Sequence, residues 1–246
     1  MSPAGPARSM RDSIIVALDT DAHSALAIAR SLRGHVGHLK VGMTLYYAEG
    51  PEIVTRLRDM GFAIFVDLKL HDIPHQVEGA AREIARIGAR MFTVHASGGS
   101  AMMEAAVRGA CEGSAECGFD TPDVLAVTVL TSLDDAALAD TGVARGAAAQ
   151  VGLLAQLARN AGVQGAVCSP HEASEVRSIL GPEALVVTPG VRPAGSAPGD
   201  QARIATPAEA LARGASHLVI GRPVTGSPEP AAAVARIVAE EGSAHD

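Results

Sequence analysis

The chain has 246 residues and a formal net charge of −7, with 48% hydrophobic residues but only 2% aromatic. That length is normal for an α/β barrel and long enough to bury a large core, which must be built from Val, Ile, Leu, Ala and Met. No basic run or basic-aromatic stripe points to nucleic acid, and no apolar run is long enough to cross a membrane.

The opening MSPAGPARSMRDS has no apolar stretch of the secretory kind; residues 1–12 read as a flexible lead-in. Ser13–Leu18 is the first candidate strand, followed by the turn Asp19-Thr20-Asp21-Ala22. Leu39–Met43 is the second, with Lys40 inside it. Gly50-Pro51 then opens a helix over Glu52–Met60, with proline in the first turn. Ala63–Leu68 and Met91–His95 are the third and fourth strands. Met102-Met103, at the start of the next helix, reads as core packing. Val124–Leu130, Gly165–Cys168 and Ala184–Thr188 follow. The Gly/Pro/Ser-rich stretch Arg192–Gln201 comes after the seventh strand and reads as a lid, not a linker. Thr206-Pro207-Ala208-Glu209 has the form of a capping box, and His217–Ile220 is the last strand. Residues 240–246 read as a tail.

These strands are continuous apolar runs, as parallel strands covered on both sides require. Gly61, Gly88, Gly162 and Gly214 each stand between a helix and the next strand, where a left-handed cap is wanted. Eight strand-then-helix units without a break of composition predict one (β/α)8 TIM barrel over residues 1–246. The alternative, an open doubly wound sheet, usually carries a Gly-rich turn after its first strand, and this chain has none there. Cys111, Cys117 and Cys168 lack metal or disulfide spacing, so free thiols and a reducing, cytoplasmic compartment are expected.

Barrel enzymes carry their reacting groups at the carboxyl ends of strands. The polar residues there are Asp19, Lys40, Asp67, Lys69, His95, Thr131, Ser132, Ser169, Arg192 and Arg222, with Gly221. The chain has 18 Arg but only two Lys, Lys40 and Lys69. Lysine can give up a proton where arginine does not, so this usage points to an ammonium that donates one. Residues 67 and 69, two apart on an extended segment, place both side chains on one face, with Leu68 and Leu70 on the other. Arg192 and Arg222 follow strands seven and eight, where barrels often hold phosphate, and Gly221 permits close backbone approach. A strand-end histidine is more often packed and hydrogen-bonded than an acid or base, so His71 and His95 read as structural.

The segment FVDLKLHDIP, Phe65–Pro74, resembles the signature of the orotidine 5′-phosphate decarboxylase family. So do Val16–Asp19, Leu39–Gly42, Val94–Gly99, Leu130–Ser132, Thr188–Gln201 and Val219–Pro223. The resemblance implies loss of CO2 from orotidine 5′-phosphate to give UMP, the last step of pyrimidine nucleotide synthesis, without cofactor or metal. It implies that Lys69 protonates C6, that Asp67 lies beside the substrate carboxylate, and that Lys40 completes a charge network and touches the ribose. Asp19 would bind a ribose hydroxyl, Thr131 and Ser132 the pyrimidine edge, and Arg192, Gln201, Gly221 and Arg222 the phosphate side. The run Asp67, Leu68, Lys69, Leu70, His71, Asp72, Ile73, Pro74, His75 and Gln76 would line the substrate sites. Asp72 would come from the partner subunit, which implies a homodimer with shared sites. Where the family commonly has Asn-Thr after Asp-Ile-Pro, this chain has His75-Gln76; Gln76 still offers a hydrogen-bond donor but is longer.

Three rival readings stand beside this one. A metal-dependent decarboxylase or aldolase acting on an acyclic sugar phosphate would share the DxKxxD pattern. An aldolase would form an imine on Lys69. A non-catalytic nucleotide-binding protein would keep the barrel without needing the like-charge strain of Asp67, Lys69 and Asp72.

Overall fold

The computed structural model describes residues 10–192 and 205–242. Its eight strands are β1 (Ile14–Ala17), β2 (His38–Gly42), β3 (Ala63–Leu70), β4 (Met91–His95), β5 (Asp123–Val127), β6 (Gly165–Val167), β7 (Leu185–Thr188) and β8 (His217–Ile220). Each pairs in parallel with the next, and β8 closes onto β1, giving the expected barrel.

Alternation along the strands builds two apolar layers. Ile14, Val16, Leu39, Val41, Ile64, Val66, Phe92 and Val94 face outward into the helices. Ile15, Phe65, Met91, Leu125, Leu185 and Val187 fill the interior. Full burial of one such side chain stabilises the fold by about 1.5–3 kcal/mol, so the scarcity of aromatics costs little when aliphatic positions are this many. Met102 and Met103 lie in the outer layer, as expected.

The helix punctuation follows the sequence signals. Gly61, Gly88, Gly162 and Gly214 all have φ between 72° and 95°. Thr206 and Glu209 form the reciprocal capping box, with each backbone N–H donating to the other's side-chain oxygen.

Some boundaries differ from expectation. Pro51 is the N-cap of the helix Glu52–Asp59 and not a residue of its first turn. Met43 opens the helix Met43–Glu49, so β2 stops at Gly42. β5 stops at Val127, short of Leu130. Thr128 there donates both its N–H and its hydroxyl to the Val167 carbonyl, at 3.1 and 2.8 Å, and the chain then turns into the barrel mouth. Met10–Ser13 form one helical turn, and the helix Pro230–Gly242 runs into the stretch expected as a tail. Among the described residues no helix is long and apolar enough to cross a membrane.

The helices Pro74–Arg86 and Ser100–Cys117 lie close because two glycines permit it. A Cβ on Gly109 would meet the Glu78 carbonyl, and one on Gly113 the Arg82 carbonyl. Exposed ion pairs (Arg82–Glu112, Arg86–Glu116, Arg108–Glu78) rim this contact, but such pairs add little. Gly109→Ala is therefore expected to destabilise the barrel by about 1–3 kcal/mol through overpacking. Thermal unfolding checks this, at roughly 2–4 °C of melting temperature per kcal/mol.

Candidate active site

The carboxyl ends of the strands open onto a cavity of about 880 Å³. Asp19, Lys40, Asp67, Lys69, Thr131, Ser132, Arg192, Gly221 and Arg222 line it together, with Phe65, Val127 and Val167 below.

Four charges alternate in sign along one side. The Lys40 ammonium, on β2, lies 2.9 Å from Asp19 and 3.6 Å from Asp67. Asp67 in turn accepts from the Lys69 ammonium at 2.8 Å. Lys40 is only 7% exposed, so its charge is tolerable only because two carboxylates face it. Gly42 makes the room: a Cβ there would stand 2.7 Å from Asp19 Oδ1 and 2.8 Å from Lys40 Nζ.

β3 is not the regular strand that alternation alone suggests. Its pairing with β4 jumps from Val66↔Phe92 to Leu70↔Val94, so Asp67, Leu68 and Lys69 stand opposite Thr93 alone. The strand gains two residues over its neighbour, and an even number keeps the facing. Asp67 and Lys69 still point into the cavity, while Leu68 and Leu70 pack on the outer core. Lys69 absorbs the irregularity with φ 53°, the left-handed region, and is the one non-glycine among the described residues to do so. Such a conformation costs about 1–2 kcal/mol and must be held by its surroundings. Thr93, 1% exposed, provides contacts that hold it. Its hydroxyl accepts from the Lys69 N–H at 2.9 Å and donates to Asp67 Oδ1 at 3.0 Å. Thr93 was not among the residues expected from the sequence. The available signal was a polar residue at an inward position of β4, in phase with Met91.

The remaining expected residues fall elsewhere. His71, Asp72, Ile73 and Pro74 line a separate, shallow hollow with Ser97 and Gly98. Asp72 accepts from the Ile73 N–H at 2.7 Å, and Ile73 is 63% exposed. His75 and Gln76 are exposed in the first turn of the helix Pro74–Arg86. Gln201 lies outside the described residues, as does most of the stretch read as a lid. Among the described residues, Val191 bridges Ala205, and the Arg192 N–H donates to the Ala205 carbonyl at 3.0 Å. Ser169 does not line the cavity; it is fully buried and bonded to Glu172. His95 stacks at 5.2 Å on His71, and burial, then His71 and Lys69, push its pKa down. That shift favours the neutral imidazole.

Burial pushes the Asp67 carboxyl up, but Lys40 and Lys69, with hydrogen bonds from Lys69 and Thr93, outweigh it and hold it below the usual carboxylate range. A depressed folded-state pKa gives stability that is present above the unfolded value and lost as pH falls through the folded one. Asp67→Asn should therefore lower the unfolding free energy at pH 7 by roughly 1–3 kcal/mol. The gap to the parent should close as pH falls below about 4, the ordinary aspartate range. Urea unfolding across pH 3–7 measures both; a gap that stays constant would show that Asp67 is not held ionised by its neighbours.

Comparison with known proteins shows the family. Residues 12–237 match the model of the "Orotidine 5'-phosphate decarboxylase / HUMPS family". An orotidine 5′-phosphate decarboxylase of Anaeromyxobacter sp. (strain K) is 53% identical over 229 residues, covering 93% of this chain and 97% of that protein. The enzyme of the same name from Paramagnetospirillum magneticum is 48% identical over 234 residues, covering 95% and 100%. The crystal structure of orotidine 5′-phosphate decarboxylase from Lactobacillus acidophilus superposes with a TM-score of 0.83 at 38% identity, covering 94% of this chain and 99% of that one. With its closed barrel, its paired Asp67 and Lys69 and matches over nearly its whole length, this chain belongs to the orotidine 5′-phosphate decarboxylase / HUMPS family.

Proposed function

We infer that the chain is an orotidine 5′-phosphate decarboxylase, forming UMP and CO2 in the last step of de novo pyrimidine nucleotide synthesis, with Lys69 as the proton donor. One observation carries the assignment of Lys69: its ammonium lies 2.8 Å from an ionised, half-buried Asp67, in a cavity that also holds Arg192 and Arg222.

The roles that the family resemblance implies fit that arrangement. The two arginines and Gly221 take the phosphate, and Thr131 and Ser132 meet the pyrimidine edge. The substrate carboxylate then sits near Asp67, whose fixed negative charge stresses the bound ground state. As CO2 leaves, the electron pair of the broken bond stays on C6, and Lys69 delivers its proton there. Lys40 and Asp19 hold the ribose and complete the charge row. Asp19 and Asp67 are each engaged by lysine ammoniums instead of converging on an open position, which disfavours the metal-dependent rival.

The working unit is a homodimer, in which Asp72 completes the partner's site. Asp72 lines a hollow separate from the cavity of its own chain, beside an exposed Ile73, and this placement supports the reading. The described residues belong to one catalytic domain. Cys111, Cys117 and Cys168 are thiols, which fits a reducing cytoplasm.

Following the absorbance of orotidine 5′-phosphate with purified protein in excess EDTA tests the activity; strict metal dependence would overturn the cofactor-free reading. Lys69→Ala should lower kcat by roughly a hundred- to ten-thousand-fold, the usual worth of a positioned acid. Arg222→Ala should act mainly on KM, raising it about 10- to 100-fold through the lost charge-assisted contact. Mixing inactive Lys69→Ala and Asp72→Ala subunits should restore turnover, because one site of the mixed dimer carries both native groups. No recovery, with subunit exchange demonstrated, would refute the shared site.

A further inference from the structure

We propose that Thr93 is a positioning residue for the proton transfer, its single hydroxyl setting both the backbone of Lys69 and the carboxylate of Asp67. The inference rests on the reading of Lys69 as proton donor.

The register of the sheet makes the case. Between Val66↔Phe92 and Leu70↔Val94, three residues of β3 face one residue of β4, so the regular ladder is interrupted where the reactive pair lies. The Lys69 N–H goes instead to the Thr93 hydroxyl oxygen, 2.9 Å away. The same hydroxyl spends its one proton on Asp67 Oδ1, the oxygen that also receives the Lys69 ammonium. Both ends of the Asp67–Lys69 pair are therefore referred to one atom on the neighbouring strand. Packing does not demand this. Valine has nearly the shape of threonine and would fill the same space, but it can neither accept nor donate. With valine in place of Thr93, the left-handed turn at Lys69 loses its side-chain acceptor, and one lone pair of Asp67 loses its donor. Displacement of a reacting group by about 1 Å costs on the order of a hundredfold in rate.

Thr93→Val, Thr93→Ala and Thr93→Ser, assayed with orotidine 5′-phosphate beside the parent enzyme, test this. The valine and alanine variants should lower kcat by about 10- to 100-fold with KM changed less than about threefold, since an interaction that matters only as the proton moves appears in kcat. The serine variant, which keeps the hydroxyl, should restore kcat to within about threefold of the parent. A valine variant with parental kcat, a loss confined to KM, or a serine variant as slow as the valine one would overturn the proposal. So would unfolding of both the valine and alanine variants, because the hydroxyl would then hold the barrel and not the pair. An inactive parent enzyme would instead refute the decarboxylase reading itself.

Discussion

The site depends on one half-buried anion. Asp67 is held ionised inside a barrel mouth by two ammoniums, and neither the anion nor Lys40 is tolerable there alone. The neighbouring structure follows from that requirement. β2 delivers Lys40, β4 delivers a hydroxyl, and Gly42 leaves out a Cβ so that Lys40 can reach Asp19. Polar groups occupy the top layer of the interior, so cohesion falls to the layers beneath, where Ile15, Phe65, Met91, Leu125, Leu185 and Val187 exclude water. The barrel can carry a charged mouth because its floor is apolar.

The two halves of the cavity are built on different supports. The charge row stands on strands β1 to β3 or just past their ends, where hydrogen-bonded neighbours on either side limit movement. Arg192 and Arg222 stand on the connections after β7 and β8, the first beside the bridge of Val191 to Ala205. A group that moves a proton needs fixed geometry, whereas one that grips a phosphate gains from adjusting to it. On the proposed reading of the site, the fold distributes its residues accordingly.

Much of this was legible in the sequence, for identifiable reasons. The eight strands stood out because parallel strands buried on both faces leave continuous apolar runs. Asp67 and Lys69 stood out because charges closing such a run have no packing explanation, and because lysine is so scarce in this chain. Strand ends were less legible. β5 ends before Leu130 at a point set by its pairing with β6, where Thr128 makes the last contacts to the Val167 carbonyl, far away in sequence. Thr93 was invisible for a similar reason. A β-branched residue inside a strand reads as packing, and its hydroxyl matters only because β3 and β4 change register beside it. The displacement of Asp72 from the cavity of its own chain was an expectation from family resemblance, and spacing alone would not have suggested it.

The even step between β3 and β4 has a consequence for how this segment can change. Parity, not residue identity, decides which side chains of β3 face the cavity between Val66 and Leu70. Exchange of Leu68 or Leu70 for another aliphatic residue leaves the facing intact. Insertion or deletion of a single residue there would turn the two leucines inward and drive a carboxylate and an ammonium into the packed outer layer. The segment is thus tolerant of spelling and intolerant of length, so length variation among descendants of this gene should be absent here and gather in the connections after the strands.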